Sequence, residues 1–353
     1  MNTLYTVITT IQEPTDAVLT LHRRLQEIGG WLVIAGDAKG PDAWYLPDCD
    51  FLTLTDQLAS GFSLAEALPT GHYARKNISY LHAIRLGARC IYETDDDNAP
   101  LPSWQPHCVN ILNARKIESI SNYQDTDVSV FCSKWVNIYR YFTNDQHIWP
   151  RGIPLDLINS SASVLVPVDA SPISSDTLIA PIQQGLVNGA PDVDAVWRLT
   201  QDRLFEFEQR LSIWLSPGLW CPFNSQSTWW WPEAYTLLYL PSHCSFRMTD
   251  IWRSFIAQRC LWEMGYGMVF HGPEVVQVRT PHDLMRDFND EIPGYQRNRE
   301  LVAVLESLNL RMGADAVPDN LRTCYEALVA RDFFPPAELA LVNAWLHDLE
   351  VIG

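Results

Sequence analysis

Residues 71–98, GHYARKNISYLHAIRLGARCIYETDDDN, contain the pattern that decides the fold of this chain. Three apolar residues recur at helical spacing and predict a helix over residues 74–86, which ends at Gly87. An apolar strand over residues 89–92 follows and runs directly into three consecutive aspartates. A helix that leads into a buried strand is typical of α/β proteins.

The segment before this stretch repeats the same order of elements. Apolar and β-branched runs predict strands over residues 5–11, 31–35 and 51–54, and a helix over residues 15–28. Repeated strand–helix–strand units predict a parallel sheet, whose ligands bind beyond the carboxyl ends of its strands. We therefore expect a site at three strand ends: Thr9-Thr10, Gly36-Asp37 and residues 93–98.

The composition describes a globular chain with a strongly acidic balance. Of 353 residues, 47% are hydrophobic and 19% are charged, which excludes a disordered or low-complexity protein. The net charge of −17 argues against nucleic acids and anionic membrane surfaces as partners, because both are polyanions. We find no signal peptide or membrane span, and the eight cysteines lack CxxC spacing, so we expect reduced thiols in a cytoplasmic protein.

Three consecutive aspartates, Asp95-Asp96-Asp97, are the strongest local feature, and we call them the acid run. Carboxylates this close repel one another, whereas Mg²⁺ or Mn²⁺ removes the penalty and leaves coordination positions for phosphate. In an extended segment, Asp95 and Asp97 point to one side and Asp96 points to the other. A solvated acidic turn or a helix N-cap is the alternative, and the sequence leaves both open.

Two cations, Arg75 and Lys76, open the helix that leads into the acid run. Cations in the first turn oppose the helix dipole, which favours anions there. A bound diphosphate would explain this placement, and two solvated basic side chains on an exposed turn are the alternative.

Five blocks of sequence occur in the order found in a known family: TGHYARKNISYLHAIRLGARCIYETDDDN (70–98), WPRGIPL (149–155), IQQGLVNGAPDVDAVWRLT (182–200), PFNSQST (222–228) and RMTDIWRSFIAQRCLWEMG (247–265). They resemble the STELLO glycosyltransferase family and, more distantly, the plant reversibly glycosylated proteins, which are UDP-arabinopyranose mutases. The resemblance implies a GT-A-like α/β fold over residues 1–298, with a nucleotide-binding mixed sheet flanked by helices. Residues 299–353 carry helical patterns and are expected to form a C-terminal helical appendage.

The resemblance also implies roles for the residues at the strand ends. The acid run would hold Mn²⁺ or Mg²⁺ on the diphosphate of a nucleotide sugar, with Asp97 as a direct ligand and Asp95 on the metal or the ribose. Asp95 and Asp96 thereby count among the substrate-binding residues. The nucleotide would also contact residues at the ends of the first two strands and in the following helix: Thr9, Thr10, Asp37, Arg75 and Lys76.

Asp192-Val193-Asp194 is a second acidic pair and, by itself, another candidate metal site. We rank it below the acid run because no apolar strand runs directly into it. The resemblance implies that Asp192 or Asp194 hydrogen-bonds sugar hydroxyls, and a turn built from Gly, Pro and Asp is an equally good interpretation. Asn224 and Gln226 are predicted to make polar contacts near the sugar.

Arg151 and the tryptophan run Trp229-Trp230-Trp231 each have competing interpretations. The tryptophans would stack on an acceptor or lie in the core, and the core is favoured because aromatic runs are usually buried. In the reversibly glycosylated proteins an Arg-Gly pattern is the site of self-glycosylation. The residues around that pattern are absent here, so we expect a structural or phosphate-facing arginine.

Asp250 is the candidate general base, because an inverting transfer needs a carboxylate that deprotonates the acceptor hydroxyl. It begins a helix with Thr249 as the expected cap, and an acid in that turn also complements the helix dipole. Arg247 and Arg253 would assist the leaving diphosphate. Three other acids are less favoured as the base: Asp287, Asp290 and Glu291.

The function predicted from these features is a metal-dependent glycosyltransferase. It would transfer a hexose from a UDP-sugar to a saccharide or glycoconjugate acceptor, with inversion. A UDP-sugar mutase without a separate acceptor and a catalytically silent nucleotide-sugar-binding protein are the two alternatives.

Overall fold

A computed structural model describes residues 4–111, 113–117, 134–158, 178–201, 203–278 and 283–353. Its β-strands are β1 (Leu4–Thr9), β2 (Trp31–Ala35), β3 (Cys49–Leu52), β4 (Cys90–Thr94), β5 (Asn98–Pro100), β6 (Asn110–Ile111), β7 (Ala114–Ile117), β8 (Leu178–Ile179), β9 (Ile182–Gly189), β10 (Ser212–Leu215), β11 (Ser227–Trp230) and β12 (Met268–Gln277). Its α-helices are α1 (Asp16–Ile28), α2 (Leu54–Leu58), α3 (Ser63–Ala67), α4 (Lys76–Arg85), α5 (Ala195–Gln201), α6 (Thr249–Glu263), α7 (Leu284–Ser307), α8 (Val317–Val329) and α9 (Ala337–Ile352).

Four parallel strands, in the order β3-β2-β1-β4, form one side of the main sheet. Alternate residues of these strands point to opposite faces: Val7 and Val33 pack with α4, while Ile8 and Leu32 pack with α1. The predicted alternation of strands and helices is confirmed. The bounds differ slightly, since β1 ends two residues earlier than predicted and β4 continues to Thr94.

Beyond β4 the sheet becomes mixed. β11 is antiparallel to both β4 and β9, and β12 is parallel to β9. β10 and β7 extend this side, and β5 pairs with β12, which gives a sheet of ten strands in the described part of the chain. This mixed α/β sheet flanked by helices agrees with the GT-A-like fold that the resemblance implies.

The strand directions bring six carboxyl ends, including that of β3, to one edge of the sheet. Because β11 runs against both of its neighbours, β9 and β12 run in the same direction as β4. β1 and β2 are parallel to β4 and end at the same edge. We call this the carboxyl edge, and it is where the sequence predicts the site.

Helix α6 is buried on nearly all sides rather than along the single stripe that its apolar spacing suggests, since 13 of its 15 residues are buried. Asp250 lies in its first turn, as predicted. The prediction that Thr249 is the cap is wrong. The helix already includes Thr249, and its N-cap is Met248, which makes no capping hydrogen bond through its side chain. The Thr249 hydroxyl instead lies 3.5 Å from the carbonyl oxygen of Ser245.

The C-terminal helices are built into the same hydrophobic core as the sheet. Trp345 of α9 is fully buried in the core cluster that contains Val7 of β1. The Asp348 carboxylate accepts the backbone N–H groups of Ser63 and Leu64, both at 2.8 Å, and so caps the first turn of α3. The boundary expected between residues 298 and 299 falls inside α7.

Some sequence predictions concern residues whose structure is not described. The excursion expected between residues 149 and 179 lies mostly outside the described residues, which stop at 158 and resume at 178. The cysteines in the described ranges are free thiols, and they include a buried pair, Cys260 and Cys324, together with an exposed Cys108. Within those ranges no helix is both long and apolar enough to cross a membrane.

Candidate active site

The acid run joins three strands at the carboxyl edge. It directly follows β4, and Asp96 accepts a hydrogen bond from the hydroxyl of Thr10, which follows β1. The amide of Gln277, the last residue of β12, donates to Asp97 Oδ2 at 2.8 Å. The three acids therefore lie where parallel strands end, as the sequence predicts.

Asp97 has the most unusual environment of the three. Its Oδ1 is buried and has no hydrogen-bond partner among the described residues. Burial, with a further contribution from the neighbouring charge of Asp95, raises the pKa of Asp97 to about 6. Two nearby amide oxygens, Asn98 Oδ1 and Gln226 Oε1, are also buried without a partner in this part of the chain. Unpartnered oxygen acceptors around a carboxylate suit a hard divalent cation.

Few protein ligands are available to such a cation. No group of three or more His, Cys, Asp or Glu side chains in the described ranges is arranged to hold a metal ion. Mg²⁺ and Mn²⁺ in nucleotide sites commonly use one or two carboxylates, and phosphate and water oxygens complete the coordination. The acid run fits this open kind of site, which needs a phosphate ligand, and does not fit a closed metal cage.

Lys76 is buried against the end of β4. Its Nζ donates to Asp95 Oδ1 at 2.9 Å, to the Thr94 carbonyl at 2.7 Å and to the Tyr73 hydroxyl at 2.8 Å. Tyr73 in turn donates to Asp95 and, at 2.6 Å, to Ser225. Burial raises the pKa of Asp95, and Lys76 opposes that effect. Lys76 therefore fixes Asp95 and has no exposed charge for a phosphate in this structure.

Arg75 faces away from the acid run. Its side chain is fully buried and donates to Gln57 Oε1 and to the Ala65 carbonyl, each at 2.8 Å. These bonds tie the start of α4 to α2 and α3. The expectation that Arg75 contacts a nucleotide conflicts with this burial, because the guanidinium is hydrogen-bonded to residues of α2 and α3.

The residues expected around the nucleoside lie at the ends of β1 and β2. The Thr9 hydroxyl donates to a backbone carbonyl of β2 at 2.9 Å, and the Thr10 hydroxyl donates to Asp96. Asp37 is partly exposed, and its carboxylate accepts two backbone N–H groups of the segment before α4, at 2.8 and 3.0 Å. Asp37 therefore holds that segment beside the carboxyl edge.

Asn224 and Gln226 lie in the turn that precedes β11, beside the acid run. Asn224 Oδ1 accepts from the amide of Gln184 at 2.7 Å and from the backbone N–H of Gln226 at 3.0 Å. Asn224 therefore shapes the turn, whereas the buried oxygen of Gln226 has no partner in the described ranges. Of the two, Gln226 has the better geometry for a ligand contact.

The second acidic pair, Asp192 and Asp194, follows a strand in the structure. From the sequence alone we rank this pair lower, because no apolar strand runs directly into it. β9 is buried along all eight residues and ends at Gly189, shortly before Asp192. The two carboxylates nevertheless have separate partners: Asp192 pairs with Arg151, and Asp194 accepts from the indole of Trp149 and from the backbone N–H of Trp197 at 2.8 Å. Asp194 thus caps α5, so the pair does not form a metal site.

Burial and ion pairing shift the pKa values of these two acids in opposite directions. Burial by itself would raise the pKa of Asp192, but Arg151 and then Arg247 hold it below the ordinary value for an aspartate. For Asp194, burial raises the pKa to about 6 despite the hydrogen bond from Trp149 and the charge of Arg247.

Asp250 is only 8% exposed and is paired with Arg151, whose Nη2 lies 3.0 Å from Asp250 Oδ2. It is close enough to the acid run for its charge to contribute to the raised pKa of Asp95. The candidate base and the candidate metal ligands therefore share one region of the carboxyl edge.

The other two arginines near α6 are already paired. Arg247 Nε donates to Glu291 at 2.9 Å, and Glu291 is fully buried. Arg253 and Glu93 form an ion pair with side chains that are at most 1% exposed. The Arg253 pair lies beneath the acid run within the core, which conflicts with the expectation that Arg253 assists a leaving diphosphate.

The tryptophan run belongs to the core. Trp229 and Trp230 have no exposed surface, and Trp231 is 7% exposed. The indole of Trp229 donates to Glu274 at 3.0 Å. The core interpretation is confirmed, and an acceptor platform at these residues is excluded.

The C-terminal third of the chain matches a family model described as STELLO glycosyltransferases, over residues 247–353. Two plant proteins from Arabidopsis thaliana, "Probable glycosyltransferase STELLO1" and "Probable glycosyltransferase STELLO2", are 28% and 27% identical over 98% of this chain. The chain is therefore similar to STELLO glycosyltransferases, over its C-terminal third by the family model and over nearly its full length by these two relatives. The alignments cover 44% of each plant protein, so this chain spans less than half the length of these relatives.

The segment matched to the STELLO model starts at Arg247 and includes Asp250 and the C-terminal helices. It therefore continues across the boundary expected at residue 298. The helices that sequence reasoning treats as an appendage lie within the region that matches this family model.

Sequence reasoning missed three residues of the site: Tyr73, Ser225 and Gln277. Tyr73 and Ser225 lie inside quoted blocks, but nothing local shows that their hydroxyls meet beside Asp95. Gln277 could have been found as the polar end of the apolar strand β12. Each becomes visible only when distant segments are brought together.

Proposed function

We propose that this STELLO-type chain is a glycosyltransferase that moves a hexose from a UDP-sugar to a saccharide or glycoconjugate acceptor, with Mn²⁺ or Mg²⁺ bound at the acid run. The observation that carries the proposal is the meeting of the acid run with Asp250 at the carboxyl edge, where their charges interact. The names of the two plant relatives, each a probable glycosyltransferase, favour the same reaction class.

The charge balance of the site supports the need for a metal. Three cations, Lys76, Arg151 and Arg247, are each paired with a carboxylate already. Six acids belong to the same site: Asp95, Asp96, Asp97, Asp192, Asp250 and Glu291. Three positive charges against six negative charges leave a net charge of −3. A diphosphate would be repelled by this surface unless a divalent cation came with it. When bound, the cation would neutralise the charge that develops on the leaving diphosphate.

Asp97 and Asp95 are the residues that we propose as metal ligands. Asp97 offers a buried oxygen without a partner in the described ranges, and Lys76 and Tyr73 orient Asp95. Gln226, next to the acid run, would bind a hydroxyl group of the donor through its free amide oxygen. Thr10 keeps Asp96 on the nucleoside side of the site.

We propose Asp250 as the general base of an inverting transfer. Arg151 pairs with this carboxylate and orients it, and the carboxylate would accept the proton of the acceptor hydroxyl. Glu291 is a poorer candidate because Arg247, Tyr295 and a backbone N–H group occupy its oxygens. The acceptor hydroxyl would therefore approach from the side of α6.

The direct test measures UDP release from a panel of UDP-sugars, with Mn²⁺ or with EDTA, for the wild type and three variants. We expect Asp97→Ala to lose Mn²⁺-dependent turnover, and Asp250→Asn to lose about 10²- to 10⁴-fold in kcat while donor binding is retained. Asp42→Asn removes one exposed acid outside the site and serves as the matched control.

Three outcomes would contradict the proposal. Wild-type turnover in Asp97→Ala would remove the metal assignment. A ring-isomerised UDP-sugar without free UDP would identify a mutase, and UDP binding without any turnover would identify a binding protein.

A further inference from the structure

Arg151 lies between two carboxylates that come from distant parts of the chain. Its Nε and Nη2 donate to the two oxygens of Asp192, at 2.8 and 2.9 Å. The same Nη2 also donates to both oxygens of Asp250, at 3.1 and 3.0 Å. Asp192 follows β9 and Asp250 lies in the first turn of α6, so one guanidinium ties a strand end to a helix start.

We propose that Arg151 is the positioning residue of the candidate active site, holding the Asp250 carboxylate in one orientation beside the acid run. The role rests on the proposed function, since it concerns the residue that we propose as the base. Arg151 acts through Asp250 and is not itself required to touch a substrate.

The loop that carries Arg151 is fitted closely to α6. Gly152 has a φ of +103°, and a Cβ added to it would lie 2.7 Å from a methyl group of Ile251 and 2.9 Å from Pro222. The backbone N–H of Arg151 donates to the Asp192 carbonyl at 3.1 Å. Glycine is therefore needed next to Arg151, because only its bare backbone lets the loop approach the helix this closely.

The surroundings make this guanidinium difficult to replace. Arg151 is 5% exposed, and Nη1 donates to the Arg247 carbonyl. Several other titratable groups interact electrostatically with members of this cluster: Glu291, Asp95, Tyr73, Tyr139, Arg198 and Cys244. Without Arg151, the buried carboxylates of Asp192 and Asp250 would lose the cation that they share, and buried charges without a close partner are costly.

At this position the planar guanidinium group of arginine differs from the ammonium group of lysine. Arg151 reaches Asp192 with two nitrogens and shares one of them with Asp250, which a lysine ammonium cannot reproduce in the same geometry. Arg151→Lys therefore separates positioning from simple charge balance, and Arg151→Met removes both.

The first test is a thermal-unfolding cycle, which needs no substrate. We expect Arg151→Met to lower Tm by roughly 5 to 10 °C, the usual effect of breaking a buried ion pair. Asp250→Asn should lower Tm in the wild type but raise it in the Arg151→Met background, because it then removes an unpaired buried charge. Arg259→Met, a buried arginine that contacts Glu263 and not Asp250, is the matched control. Equal effects of Asp250→Asn in the wild-type and Arg151→Met backgrounds would overturn the link.

The second test uses UDP release from the UDP-sugar that the wild type turns over. We expect Arg151→Lys to lower kcat by about 10- to 100-fold with KM for the UDP-sugar within about twofold, because a misplaced base slows the chemical step without weakening donor binding. If Arg151→Lys had the same kcat as the wild type, the proposal that the guanidinium group positions Asp250 would be overturned. A wild type that turns over no donor would overturn the proposed function, while the unfolding cycle still decides whether Arg151 holds Asp250.

Discussion

Asp97→Asn should stabilise the metal-free protein and abolish its stabilisation by Mn²⁺. Burial raises the pKa of Asp97 from 3.8 to about 6, which means that the folded state disfavours the ionised carboxylate. A shift of about 2 units corresponds to about 3 kcal/mol of unfolding free energy. An asparagine carries no charge, and its oxygen can still accept the hydrogen bond from Gln277.

The sign of the pH effect on stability follows from the raised pKa of Asp97. Below about pH 4, Asp97 is protonated in both the folded and the unfolded state and does not lower the unfolding free energy. As the pH rises from about 4 to about 6, the unfolded state releases its proton first, and the folded protein loses stability until both states are ionised. The advantage of Asp97→Asn should therefore be absent near pH 4 and complete above about pH 6.5, at up to about 3 kcal/mol.

The assay is thermal unfolding of the wild type and of Asp97→Asn, with and without Mn²⁺, between pH 4 and 8. Saturating Mn²⁺ at 100 times its Kd adds about 2.7 kcal/mol to the wild type. Binding to the ionised carboxylate should weaken below pH 6, because protons then compete with the metal. Asp97→Asn should show no shift with Mn²⁺.

Asp194→Asn is the matched control for this experiment. Burial also raises the pKa of Asp194 to about 6, but its oxygens are bonded to Trp149 and Trp197. We expect this variant to keep the full Mn²⁺ shift, while its NH2 group, placed against one of the two N–H donors, offsets part of the stability gained by removing the buried charge. An undiminished Mn²⁺ shift in Asp97→Asn, or its loss in Asp194→Asn, would refute the reasoning.

Two further predictions concern the frame of the site. Arg253→Met should lower the unfolding free energy by about 3 to 5 kcal/mol in urea titrations, because it leaves Glu93 buried without its ion-pair partner; an unchanged midpoint would show that the pair is not formed. Asp348→Ala should cost roughly 1 to 3 kcal/mol by the same measurement, because the N–H groups of Ser63 and Leu64 lose their acceptor. A cost near zero would mean that α9 is not docked on α3.

The acid run shows how much of the site could be predicted locally. A buried strand that runs into polar residues has a recognisable sequence, and parallel strands place their carboxyl ends at one edge. The positions of Thr10 and Asp95 follow from these two facts, and the structure has both at that edge. No comparable local pattern marks the partner that each charged side chain finds.

The four predicted cations illustrate this limit. Arg75, Lys76, Arg247 and Arg253 are all near the site in the sequence pattern, and every one is engaged by groups of the protein itself. A cation in a helix's first turn has the same sequence signature whether it faces a ligand or a buried carboxylate. Burial, which depends on the whole fold, distinguishes the two cases.

The sequence by itself determined the parallel start of the sheet, the acid at the end of β4 and the acid in the first turn of α6, because hydrophobic periodicity and chain order are local properties. The tertiary structure decided that Arg151 binds Asp250 across 99 positions and that the C-terminal helices complete the core. It also decided that Asp192 and Asp194 have unlike partners. Pairings of this kind depend on which distant segments the packed core brings within hydrogen-bond distance, and no local pattern contains that information.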